Sequence, residues 1–198
     1  MEKKTNRPAV IILAAGESKR MGTSKHLLWF SKGETFIEHI VAVYQRFQVS
    51  KIVVVVNEAA QIFPEMFMNS EGIEIVVNKN IELGRFYSVQ LGLQNVTGNC
   101  FIQNIDNPFV NVGLLMSLNS ELKDSDYVVP VYNDKGGHPI LLSERTSNII
   151  VGEEDKGSHL NNKLKLFSRK NALVNDPYIR VNINTQEDYK KYFSGLGN

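Results

Sequence analysis

A chain of 198 residues with 42% hydrophobic content suffices for one ordinary domain with a sizeable core and leaves little room for a second. Its 22 basic and 21 acidic residues leave a net charge of +1, so no general field gathers a nucleic-acid backbone and any anion site has to be local. The single cysteine, Cys100, excludes an internal disulfide and suits a reducing cytoplasm; set in an apolar run, it reads as a buried thiol. The polar start Met1–Pro8 and the short apolar stretch behind it, ended by Gly16, fit neither a secretion signal nor a membrane span. The expectation is a soluble, cytoplasmic protein that binds neither membrane nor nucleic acid. It forms one domain over residues 1–198, ordered from about 8 to 194, with a frayed Gly/Asn-rich tail.

In chain order, Ala9–Leu13 is near-continuously apolar, as a strand covered on both faces would be. It discharges into Leu13-Ala14-Ala15-Gly16-Glu17-Ser18-Lys19-Arg20-Met21-Gly22-Thr23-Ser24-Lys25. Small residues let backbone N–H groups approach phosphate oxygens, and Lys19, Arg20 and Lys25 offset charge that amides leave uncompensated. The loop is not a Walker loop, since Gly16 and Gly22 are six apart and no lysine follows Gly22; G-x-G-x-x-G is absent too. Standing alone, such a loop also reads as a polar strand-to-helix turn with incidental lysines.

Phe36, Ile40, Tyr44 and Phe47 form one helical stripe, and Phe86, Val89, Leu91, Leu93 and Val96 permit a second helix after Gly84. Ile52–Val56, Ile73–Val77, Phe101–Ile105 and Tyr127–Val131 are further apolar strands. Beyond residue 130 a turn at Asp134-Lys135-Gly136-Gly137 precedes a strand at Pro139–Leu142, which predicts an antiparallel element. Ser143–Phe167 reads as polar and helical, Tyr178–Ile183 as a late strand, and a last helix is capped by Thr185 with Asp188. The pattern gives a single-domain, Rossmann-like doubly wound α/β fold: a mainly parallel sheet with an antiparallel element in its C-terminal part.

Ligands in such sheets sit beyond the carboxyl ends of strands, so Gly16, Asn57, Asn78 and Asp106 should crowd one crevice. Asp106 is the candidate metal ligand, because a hard Mg²⁺ ion needs little more than one carboxylate plus phosphate oxygens. The alternative is an aspartate opening a turn, which Asp-x-Pro favours. Asn182 and Asn184, at the end of the late strand, could add neutral oxygens near that metal or bond an acceptor. At the start of the second helix, Gly84 and Ser88 stand where free N–H groups favour an anion or a base carbonyl, with a capping or solvated hydroxyl as the alternative for Ser88. Arg85 could meet the phosphate of an acceptor, or stand as an ordinary surface arginine. His138 before Pro139 reads as orienting rather than as a base, and the other histidines lack zinc-ligand spacing. No G-x-S-x-G elbow is present.

The form L-A-A-G-x-S-x-R-M-G-x-x-K at Leu13–Lys25 resembles the signature loop of MobA-like nucleotidyltransferases, which include molybdenum-cofactor cytidylyl- and guanylyltransferases. The resemblance implies that Leu13, Ala14, Ala15, Gly16, Ser18, Gly22 and Lys25 hold the triphosphate, with Arg20, Lys25 and Asp106 as catalytic residues. Asp106-Asn107-Pro108 is similar to the family's Gly-Asp-x-Pro, with Ile105 replacing the glycine. Gly84–Gly92 resembles its G-x-x-x-S-x-x-x-G nucleotide segment, and Gly137-His138-Pro139 and Asp155-Lys156-Gly157 resemble motifs of its cytidylyltransferase branch. Asn182-Ile183-Asn184-Thr185 resembles the guanylyltransferase form of a motif that carries aspartates in other members, so Asn182 is expected beside the metal and His138 and Asn184 on the acceptor side.

The resemblance implies Mg²⁺, or Mn²⁺ in its place, and transfer of an NMP from an NTP, CTP ahead of GTP. The acceptor would be a small phosphorylated molecule such as molybdopterin, pyrophosphate would leave, and contact with a molybdoenzyme or cofactor-delivery protein would be transient. The rivals are a sugar- or alcohol-phosphate nucleotidyltransferase and a nucleotide-binding homologue without turnover.

Overall fold

The computed structural model describes residues 7–60, 72–154 and 159–194. Its strands are β1 (Ala9–Leu13), β2 (Trp29–Ser31), β3 (Glu34–Thr35), β4 (Ile52–Asn57), β5 (Ile73–Asn78), β6 (Cys100–Asn104), β7 (Tyr127–Tyr132), β8 (Lys135–Gly136), β9 (Ile140–Leu142) and β10 (Arg169–Leu173). The helices are α1 (Phe36–Phe47), α2 (Gly84–Leu93), α3 (Val112–Leu122), α4 (Glu144–Val151), α5 (Leu160–Leu164) and α6 (Gln186–Phe193). The main sheet runs β10-β7-β9-β6-β1-β4-β5, with β8 paired to β7. β1 pairs parallel with β4 and β6, and β4 with β5; β9 lies antiparallel between β6 and β7. This is the mixed, mainly parallel α/β sheet that the sequence pattern predicts.

Alternation along the central strands feeds two apolar layers. Val10 and Ile12 of β1 with Val54 of β4 meet Tyr44 of α1, Leu115 of α3 and Phe193 of α6. Ala9, Ile11 and Val53 meet Phe86 and Val89 of α2, Ile150 of α4 and Leu164 of α5 on the other face. Each fully buried Val, Leu, Ile or Phe among them contributes roughly 1.5–3 kcal/mol. Helix α2 lies so close to β1 that a Cβ at Gly92 would fall 2.3 Å from Ile11 Cγ2, so only glycine permits this approach. Helix α1 starts at a capping box: the Glu38 N–H donates to Thr35 Oγ1, and the Thr35 N–H to Glu38 Oε2 at 2.7 Å.

Two expectations need correction. Tyr178–Ile183 is no strand: Asp176 caps a 3-10 turn over Pro177–Arg180, accepting the Tyr178 N–H at 2.9 Å, and the Tyr178 and Val181 carbonyls accept from Asn107 Nδ2 rather than from a strand. The last strand is instead β10, parallel to β7, where only Ala172 is buried and apolar periodicity is therefore lacking. The hairpin turn falls at Asn133-Asp134, whose φ values of 47° and 61° suit a primed turn, so that Lys135 and Gly136 belong to β8. Within Ser143–Phe167 the described residues form the two short helices α4 and α5; residues 155–158, and with them the Asp155-Lys156-Gly157 motif, lie outside the described residues.

Candidate active site

At the carboxyl ends of β1 and β6 lies a cleft of about 390 Å³, ample for a small-molecule ligand. One wall is the loop after β1. The Ala14 N–H donates to the Val55 carbonyl at 2.8 Å and Asn57 Nδ2 to the Ala15 carbonyl at 3.0 Å, which fixes the loop's departure from the sheet. Met21, 1% exposed, plugs the loop into the core, and the Met21 and Gly22 N–H groups close a turn on the Ser18 carbonyl. Ser18 and Gly22 take positive φ, 53° and 67°, and the Lys25 N–H donates to Ser18 Oγ at 3.4 Å. Leu13, Ala14, Ala15, Gly16, Ser18, Arg20 and Lys25 line the cleft. Gly22 does not; it turns the loop behind it. Lys19 and Arg20 stay exposed, with Lys19 paired to Glu17 at 2.9 Å.

The opposite wall is built from the interior outward. Tyr44 OH donates to Gln103 Oε1 at 3.0 Å, and Gln103 Nε2 donates to the carbonyls of Asn104 and Asn107 at 2.8 Å each. Burial pushes the Tyr44 phenol well above its ordinary pKa, so it remains a donor. These bonds hold the turn that carries Asp106, and the Ile183 N–H donates to the Asp106 carbonyl at 2.7 Å. Phe109 stacks on Phe193 of α6 at 5.5 Å, and Thr185 and Asp188 form the α6 capping box. The segment before α6 is thereby drawn to the Asp106 turn, and Asn184 arrives in the cleft.

The result is a compact polar centre. Lys25 Nζ donates to Asn184 Oδ1 at 2.7 Å and lies 3.4 Å from Asp106 Oδ2. Asp106 Oδ1 is buried without a hydrogen-bond partner, so one carboxylate oxygen is left with its lone pairs uncommitted. Among the described residues, no cluster of three or more acidic, histidine or cysteine side chains gathers. Asp106 Oδ1, and the second lone pair of Asn184 Oδ1 beside its Lys25 bond, are nevertheless hard oxygens of the kind that a cation sharing its shell with phosphates and water takes.

Of the other expected residues, Gly84 and Ser88 line the cleft, whereas Asn182 is exposed and outside it. Asn184 occupies the position beside Asp106 that the sequence suggested for Asn182, because the irregular chain after the 3-10 turn directs the later asparagine inward. His138 does not line the cleft but feels it: burial first, then the Arg85 charge, lower its pKa to about 4 against the pull of Asp106. Its Nδ1 is buried and unpartnered. The strand ends Asn57 and Asn78 buttress the cleft instead of lining it, Asn78 through a bond to Ser88 at 2.9 Å. Of the two readings of Arg85, the structure favours the cleft: Arg85 lines it and donates from its guanidinium to Asn104 Oδ1, and desolvation lowers its pKa. Asn104 escaped the sequence reading; its place two residues before Asp106 at a strand end was the available signal.

A match to the MobA-like NTP transferase domain spans residues 10–159, most of the chain and the whole loop-to-Asp106 cleft except Asn184. The chain belongs to this family. As a MobA-like protein it is a nucleotidyltransferase, and curated relatives agree. It is 26% identical over 180 residues to the molybdenum cofactor cytidylyltransferase of Escherichia coli K12, covering 90% of this chain and 92% of that protein. It is 28% identical to a probable molybdenum cofactor guanylyltransferase of Natranaerobius thermophilus, covering 98% of each. Among solved structures, Rv0371c of Mycobacterium tuberculosis shares the fold with a TM-score of 0.80 at 21% identity, over 95% of this chain and 97% of that one. Rv0371c has also been solved as a complex with manganese. Among the described residues no helix is long and apolar enough to cross a membrane.

Proposed function

We propose that this MobA-like cleft binds the triphosphate of an NTP, CTP ahead of GTP, and passes the NMP to the phosphate of a small acceptor, releasing pyrophosphate. The observation that carries the reading is the Lys25–Asp106–Asn184 centre facing the Gly16 loop, which sets a cation and an uncommitted carboxylate oxygen at one point. Exposed loop amides and Arg20 take the outer phosphates, and Lys25 offsets charge that develops at the reacting one. Mg²⁺, or Mn²⁺, bound by Asp106 and Asn184 with phosphate oxygens would neutralise further charge there. An acceptor phosphate is already an anionic nucleophile, so catalysis needs positioning for in-line attack rather than a base or a covalent intermediate. His138, kept neutral by burial, fits an orienting role on the acceptor side.

Molybdopterin is the favoured acceptor because the curated relatives are named for the molybdenum cofactor. Handover to a molybdoenzyme or delivery protein, in the reducing cytoplasm that suits the buried Cys100, belongs to the same proposal. Purified protein incubated with Mg²⁺, molybdopterin and each of the four NTPs should release pyrophosphate fastest with CTP. Release that is equal with and without molybdopterin, or higher with a sugar or alcohol phosphate, overturns the acceptor. No release with any NTP and acceptor leaves a binding protein without turnover.

A further inference from the structure

We propose that Gln186 is a positioning residue: it ties the Gly16–Lys25 loop to the start of α6 at a point outside the cleft, so that the loop keeps its place when Lys25 leaves Asn184 for a phosphate. The inference rests on the nucleotide reading of the cleft. Gln186 is the first residue of α6, and its Nε2 donates to the Met21 carbonyl at 2.7 Å across 165 positions of sequence. A carbonyl only accepts, so the atom facing it has to be the amide nitrogen.

Both ends of this bond are themselves held. Met21 is 1% exposed, and its N–H and that of Gly22 donate to the Ser18 carbonyl at 2.8 and 3.2 Å, so its own carbonyl belongs to the turn that shapes the loop. On the other side the Asn184 and Thr185 N–H groups donate to Asp188 Oδ2 at 3.0 and 2.9 Å, and the Ile183 N–H donates to the Asp106 carbonyl. The segment 183–186 therefore meets both walls: Ile183 holds the Asp106 turn, while Asn184 and Gln186 hold the loop.

Among the described residues, two hydrogen bonds join the loop to that segment, Lys25 Nζ to Asn184 Oδ1 and Gln186 Nε2 to the Met21 carbonyl. They differ in what a ligand does to them. Lys25 and Asn184 line the cleft, and an ammonium drawn to a phosphate leaves the asparagine. Neither Met21 nor Gln186 lines the cleft, so an anion does not compete for their bond. Gln186 thus keeps the loop ordered in the free and the occupied protein, and the ligand is spared the cost of ordering it.

The test compares wild type with Gln186→Met, which keeps length, neutrality and helix preference and removes the donor. In hydrogen exchange followed by NMR, the Met21, Gly22 and Lys25 amides should exchange about three- to ten-fold faster, with the Ile183 amide within about two-fold of wild type. Calorimetric titration of the Mg²⁺-supplemented protein with inorganic tripolyphosphate should show affinity about three- to ten-fold weaker in the variant. Gln186→Glu, which also cannot donate but suits a helix N-terminus, should speed the same three amides without loss of thermal stability. Wild-type exchange or wild-type tripolyphosphate affinity in Gln186→Met overturns the inference. So does equal quickening of the Ile183 amide, which would mark a general loss of stability. Absence of binding of tripolyphosphate and of every NTP by wild type instead overturns the nucleotide reading itself.

Discussion

The Asp106 turn and the Gly16–Lys25 loop face each other across one cleft but are held in contrasting ways. The turn is bolted to the interior by Tyr44, Gln103 and Asn107, all buried, and its geometry is fixed before any ligand arrives. The loop is anchored at Ala14, Ala15 and Met21, yet leaves Gly16, Lys19 and Arg20 exposed. The difference teaches a division of labour: one wall fixes a carboxylate in place, and the other leaves exposed the amides and cations that the proposed phosphate contact requires.

The largest effect is expected at the point where the walls meet. Asp106→Asn keeps the shape, removes the charge and leaves Lys25 without its ionic partner. Pyrophosphate release should fall roughly a hundred-fold or more while the thermal midpoint barely moves. Retention of wild-type rate at limiting Mg²⁺ would break the assignment of this wall as the metal side.

Next comes acidity. His138 titrates near pH 4 when folded and near its ordinary 6.5 when unfolded, so below 6.5 the unfolded chain binds more protons. The stability from its buried neutral ring is complete above pH 6.5 and drains away as pH falls toward 4, a loss on the order of 3 kcal/mol. Urea titrations at several pH values should show this slope in wild type and a flatter one in His138→Gln. Parallel slopes would mean the ring is solvated in the folded protein.

The two walls should separate cleanly under paired substitutions. Tyr44→Phe leaves Gln103 Oε1 buried without a donor and should cost about 1–3 kcal/mol of stability, with slower turnover as the Asp106 turn loosens. Arg20→Ala removes an exposed loop cation and should change stability by less than about 0.5 kcal/mol while weakening NTP binding. If Arg20→Ala proves the more destabilising of the two, the contrast between walls is wrong.

The same contrast explains what the sequence discloses. Central strands such as Ile52–Asn57 are apolar on both faces, and the small residues with cations after Leu13 mark the loop that lines the cleft, so sheet and cleft loop are legible. The exposed strand Arg169–Leu173 is not, because its place on the sheet edge gives it no apolar period. Nor is the route by which Asn184 reaches Asp106: it depends on Asn107 side-chain bonds to Tyr178 and Val181, between residues far apart in sequence. Arg85 and Asn78 are hidden likewise, since what matters is their partners, Asn104 and Ser88.

The smallest effect, and the sharpest check on how the walls join, concerns the paired asparagines. Asn184 holds Lys25 at 2.7 Å beside Asp106, whereas Asn182 is exposed and outside the cleft. Hard cations favour anionic oxygen, so Asn184→Asp should tighten Mg²⁺ or Mn²⁺ binding, by roughly ten-fold in a metal titration. Asn182→Asp adds the same charge only two positions earlier, in water, where screening leaves little of it at the centre. Its titration should overlay wild type. A tightening in Asn182→Asp that matches Asn184→Asp would show that the segment before α6 rearranges when the cation binds, and that the Asp106 wall is less firmly bolted than its hydrogen bonds imply.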